Sequence, residues 1–99
     1  MESCLNQIAM TKHFNITITG KVQGVFFRAG AEAEALKMGV SGFTRNEPNG
    51  DVYIEAEGNP DPLAHFLEWC NKGPEKAKVI RVLVEEAEVT GFTSFEIRR

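Results

Sequence analysis

The chain has 99 residues, 42% hydrophobic and 25% charged, with a formal net charge of −3. That length holds one modest core and leaves no room for a second module, and the composition is that of an ordinary globule. The acidic balance speaks against a general nucleic-acid binder, and no apolar run reaches the roughly 18 residues of a membrane span.

The opening MESCLNQIAM lacks the basic and apolar regions of a signal peptide, and a cytoplasmic protein is expected. Cys4 and Cys70 have no metal-ligand spacing, and no disulfide is expected in a reducing compartment. Residues 1–12 show no periodicity and read as a flexible segment, with Met10 an alternative start; the domain is assigned to 13–99. Phe14, Ile16 and Ile18 alternate with Asn15, Thr17 and Thr19, the period of a strand with one buried face. From Arg28 the period becomes helical, with Val25, Ala29, Ala33, Leu36 and Val40 proposed as the apolar stripe and Gly39 as the stop. Phe43–Asn46 reads as a short strand, Asn49-Gly50 as a hairpin turn and Val52–Glu57 as the returning strand. Asp61 is expected to cap a second helix with Pro62 at its first position, and Leu63, Phe66, Leu67 and Cys70 to form its buried stripe before Gly73-Pro74. Val79–Glu86 and Ser94–Arg98 complete the strands.

The order βαββαβ plus a terminal strand implies an α+β, ferredoxin-like plait: an antiparallel sheet with both helices on one face. Thr17, Thr19, Glu55 and Glu57 are expected on its solvated face. The fold alone does not give the function, because the same plait serves binding modules and enzymes.

The stretch GKVQGVFFRAG, residues 20–30, carries the chemical signal. A loop entering a helix presents unpaired N–H groups, to which the helix dipole adds partial positive charge. Gly20 and Gly24 would let those groups curl around an anion, and Arg28 adds a planar fork suited to two phosphate oxygens. A tight turn followed by a solvated arginine has the same spacing, so spacing alone leaves both readings open. The loop is neither a Walker A sequence nor a dinucleotide fingerprint.

Two longer motifs go further. Ile18-Thr-Gly-Lys-Val-Gln-Gly-Val-Phe-Phe-Arg28 and Gly42-Phe-Thr-Arg-Asn46, followed by Gly50, Val52 and Gly58, resemble the two signatures of the acylphosphatase family. The resemblance runs from about Phe14 to Arg98. Thr44 departs from it, since Val, Ala or Cys is commoner there, and the difference bears on packing beside Asn46. The resemblance implies hydrolysis of acyl phosphates to carboxylate and phosphate. It makes Arg28 and Asn46 the catalytic pair, with Lys21, Val22, Gln23, Gly24, Val25, Phe26 and Phe27 forming the phosphate-binding loop. No metal or cofactor, no nucleic-acid or membrane partner, and a monomer are expected.

A non-catalytic anion-sensing or partner-docking domain on the same scaffold is the alternative. An RNA-binding plait would want exposed aromatics and a basic face, which Thr17, Thr19 and Glu55 do not offer. His65, Glu85, Glu86 and Glu88 are read as solvated. Glu47 and Asp51 flank the hairpin and are candidates for tuning the site. Phe26 and Phe27 are candidates either for shielding the loop or for the core, and Trp69 for partial burial.

Overall fold

The computed structural model describes residues 11–98. The expected flexible segment, with Cys4 and Met10, lies outside them as far as residue 10, while Lys12 already opens the first strand. The elements are β1 (Lys12–Lys21), α1 (Phe27–Met38), β2 (Ser41–Asn46), β3 (Val52–Gly58), α2 (Pro60–Lys72), β4 (Lys78–Ala87) and β5 (Phe95–Arg98). They form the ferredoxin-like plait, with strand order β4-β1-β3-β2-β5. The β1–β3, β1–β4 and β2–β3 pairs are antiparallel, whereas β5 joins the edge parallel to β2.

Period-2 alternation builds the core as anticipated. Ile16, Ile18, Val52, Ile54 and Ala56 are fully buried and meet Leu63, Phe66 and Cys70 of α2. Leu67 is only half-buried at the margin of that stripe. Burial pushes the free Cys70 thiol well above its ordinary pKa, with Glu34 adding to the shift, which leaves it unreactive.

Four expectations need correction, three of them local. The buried face of α1 is Phe27, Ala31 and Ala35, whereas Ala29, Ala33 and Leu36 are exposed. Alanines alternating with glycine and glutamates leave two faces of this helix almost equally apolar, and the ring of Phe27, fully buried and meeting Trp69 edge-on at 5.1 Å, selects one of them. The cap of α2 is Asn59, not Asp61. First-turn N–H groups have no helical partner, so Pro60 and Pro62 both fit there without losing a bond, and Asp61 instead places its charge in the first turn. Gly20 belongs to β1 rather than to the loop: the strand shifts register at Thr19/Gly20 and continues to Lys21. A Cβ on Gly20 would lie 2.1 Å from the Lys78 carbonyl oxygen, so close approach of β4 is what requires glycine here.

Cross-strand partners share a face, so Thr44, opposite Ile54, points into the core. It is fully buried, and its Oγ1 finds no hydrogen-bond partner among the described residues. Thr44→Val is expected to stabilise the fold by about 1 kcal/mol, since an unsatisfied buried hydroxyl carries a penalty of that order. Urea unfolding checks it, and an unchanged or lower midpoint contradicts it.

The opposite face of the sheet holds the fourth correction. Glu57 is buried rather than solvated, and so is His13 across from it. His13 Nδ1 lies 2.7 Å from Glu57 Oε2, while Nε2 lies 2.9 Å from Asn15 Oδ1 and 3.1 Å from Glu55 Oε1. Both ring nitrogens therefore face acceptors, the arrangement of an imidazolium that donates twice. Burial pulls the pKa of His13 down. The bonds to Glu57 and Asn15 and the charges of Glu55 and Glu57 outweigh it, and the pKa stands above 6.5. Burial pulls Glu57 up, but the bonds from His13 and from the Thr90, Phe92 and Gly91 N–H groups hold it below 4.5.

The signs give a pH window. The Glu57 contribution is complete above the unfolded value of 4.5 and disappears as pH falls through the lowered folded value. The His13 contribution is complete below 6.5 and disappears as pH rises through the raised folded value. The stability difference between the wild type and His13→Gln is therefore expected to peak between those two values in urea titrations run from pH 4 to 9. A difference that keeps growing to pH 9 would contradict the charged pair.

Candidate active site

The chain between β1 and α1 crosses the end of the sheet. Gly24 has φ 74° and Phe26 has φ 64°, both left-handed. Glycine accepts that conformation without penalty, whereas a phenylalanine held there stores about 1–2 kcal/mol of strain, a cost typical of binding loops. Val22, Val25 and Phe27 are buried and anchor the loop from beneath. Gln23 ties it sideways, its Nε2 donating to the Glu47 and Asp51 carbonyl oxygens at 2.8 and 2.9 Å. The loop is thus fastened to the β2–β3 hairpin, immediately after Asn46. Phe26, at the N-cap of α1, makes no side-chain capping bond, and the first turn of the helix carries no acidic residue, so its N–H groups and partial positive charge remain available to an anion.

An open cavity of about 320 Å³ lies over this loop, lined by Val22, Gly24, Phe26, Phe27, Arg28, Ala29, Asn46 and Ile97. Arg28 comes from the first turn of α1 and Asn46 from the last position of β2. Asn46 pairs with Val52 and so lies on the helix side of the sheet. Arg28 Nη1 donates to the Arg98 carbonyl oxygen at 3.0 Å, which fixes one end of the fork and leaves most of its five N–H donors for a ligand.

The remaining loop residues are placed unequally. The Lys21 side chain is exposed at the end of β1, and Lys21, Gln23 and Val25 are not among the residues lining the cavity. The Gln23 side chain is committed to the hairpin, and Phe26 stands 79% exposed at the rim while Phe27 is core. Glu47 and Asp51 act here through their main-chain carbonyls; the Glu47 carboxylate pairs with Arg45 at 3.0 Å. His65 is exposed beside Glu68. Among the described residues no three His, Cys, Asp or Glu side chains gather as metal ligands, and no helix is long and apolar enough to cross a membrane. Sequence reasoning missed Ile97, an apolar strand residue with nothing to mark it for a site, and the Arg98 carbonyl, a main-chain group that no residue type announces.

The acylphosphatase family model matches residues 14–97. The chain belongs to the acylphosphatase family. A curated acylphosphatase from Nocardioides sp. is 44% identical over 89 residues, covering 90% of each chain. The solved acylphosphatase of Coxiella burnetii superposes with a TM-score of 0.89 at 34% identity, over 93% of this chain and 97% of that one. Full-length HypF, solved in a phosphate- and nucleotide-bound form, matches with a TM-score of 0.81 at 27% identity; the match covers 90% of this chain and 12% of HypF. As an acylphosphatase, the protein is an enzyme that hydrolyses acyl phosphates to carboxylate and inorganic phosphate. The docking-domain alternative finds no support in these relatives.

Proposed function

We propose that the enzyme works through Arg28, the main-chain N–H groups of the 21–27 loop and Asn46, without metal or cofactor, as a cytoplasmic monomer. The observation that carries this reading is the convergence of the Arg28 and Asn46 side chains on one cavity above the curled loop. Phosphoryl transfer requires mainly positioning and charge stabilisation. The loop N–H groups and the guanidinium hold the equatorial oxygens, and their bonds strengthen as charge spreads over the phosphoryl group. The Asn46 amide orients a water for attack on phosphorus, in line with the leaving carboxylate. An amide takes no proton near neutral pH, so the proton of that water passes to a phosphoryl oxygen or to solvent.

This division of labour selects the substrate. A carboxylate, whose acid has a pKa of about 4, departs without protonation. An alkoxide resembles hydroxide, whose parent water has a pKa of ~15.7, and needs an acid or a metal to leave. Benzoyl phosphate hydrolysis measured beside p-nitrophenyl phosphate, each with and without EDTA, tests the reading. The anhydride is expected to turn over at least about 10³-fold faster, a difference of roughly 4 kcal/mol in barrier, with no effect of EDTA. Comparable rates, or loss of activity with EDTA, would refute it.

A further inference from the structure

The buried pair on the open face of the sheet is remote from the cavity, yet its bonds lead there. The Glu57 carboxylate accepts N–H bonds from three consecutive residues, Thr90, Gly91 and Phe92; the Gly91 and Phe92 bonds to Oε1 are both 3.0 Å. These residues form the strap between β4 and β5. Phe92 also stacks on His13 with ring centroids 5.7 Å apart and meets Phe43 edge-on at 5.9 Å. Ser94 accepts the Gly42 N–H at 2.8 Å, and β5 begins one residue later.

The strand so delivered is short and is anchored in the core by one side chain, Phe95, which meets Phe66 edge-on at 5.9 Å. β5 is four residues long and, among the described residues, pairs with β2 alone. At its far end the Arg98 guanidinium lies 4.1 Å above the Phe43 ring, and the Arg98 carbonyl oxygen receives Arg28 Nη1.

We propose that Glu57 and His13 are positioning residues for the active site: the carboxylate clamps the 90–92 strap, the strap sets where β5 lies, and β5 holds the guanidinium of Arg28. The proposal rests on the reading of Arg28 as the phosphate ligand. A single acidic side chain in the middle of the sheet thus governs the geometry of a cation at its edge. The carboxylate suits the task because it is acceptor-only and can bind three N–H groups at once. His13 holds it from the other side and keeps it ionised while buried.

The test compares Glu57→Gln and Phe92→Leu with Cys70→Ala, a substitution on the helix face that weakens the core without touching the strap. Folded fraction is set by circular dichroism, KM and kcat by benzoyl phosphate hydrolysis, and inorganic phosphate affinity by titration. The Arg28 Nε–Hε resonance is followed by NMR. Glu57→Gln is expected to raise KM and the phosphate dissociation constant together, about 5- to 20-fold for a networked contact, and to shift the Arg28 resonance. Phe92→Leu, which leaves every charge in place, should act in the same direction and stands in if Glu57→Gln does not fold. Cys70→Ala should leave the constants within about twofold, the spread expected of an uncoupled site. Unchanged constants and an unchanged resonance in the folded strap variants, with phosphate binding lost in Arg28→Gln, overturn the clamp alone. Equal shifts in Cys70→Ala overturn it too, because general softening then suffices. Phosphate binding that survives Arg28→Gln overturns the ligand role of Arg28 and the proposal with it.

Discussion

Arg28→Gln is expected to abolish turnover and to weaken inorganic phosphate binding in parallel. Gln keeps a polar tip but loses the charge and the fork. Two charge-assisted hydrogen bonds at roughly 1.5–3 kcal/mol each correspond to a fall of about 10²- to 10⁴-fold in kcat/KM. The fold should survive, because the bond that Arg28 gives up, to the Arg98 carbonyl, is at an exposed position where water replaces the donor. Arg28→Lys should recover only part of the loss, since an ammonium supplies the charge without the bidentate geometry. The measurements are steady-state kinetics and phosphate titration on protein of unchanged circular dichroism. Full activity in a folded Arg28→Gln would remove this residue from the site.

Asn46→Ala is expected to separate what Arg28→Gln loses together. If the amide only orients water, its removal lowers kcat by about 10²-fold, the scale of a misplaced reactant, while inorganic phosphate still binds within about twofold. Asn46 closes β2, and its backbone pairing with Val52 does not depend on the side chain. A stability change above about 1 kcal/mol is therefore not expected of such a surface-edge truncation. A parallel fall in kcat and phosphate affinity would make Asn46 a phosphate ligand instead.

The elements that sequence made legible are those in which one physical requirement dominates. Ile16 and Ile18 alternate with threonines, and only a half-buried strand suits that pattern. Asn49-Gly50 suits few structures besides a hairpin, and two long motifs pointed to Arg28 and Asn46, whose side chains line one cavity. Legibility failed where requirements were balanced or remote. The face of α1 was misjudged because its alanines fit either side, and Phe27 decided through a contact with Trp69 far along the chain. Glu57 was assigned to solvent because a glutamate on an open face usually belongs there; its partners, His13 and the N–H groups of Thr90, Gly91 and Phe92, come from distant segments. The Gln23 bonds to two carbonyls, and the Arg98 carbonyl beside Arg28, depend on tertiary placement alone.

The interior position of β1, between β4 and β3, has a kinetic consequence. Phe14 lies opposite Ala56 on one side and Glu86 on the other, so the strand that leads into the loop before α1 is enclosed only once the chain as far as β4 has found its place. Loop closure over such spans slows collapse, and topologies dominated by remote pairings mature in milliseconds to seconds rather than microseconds. During refolding from urea the recovery of catalysis should coincide with the last cooperative phase.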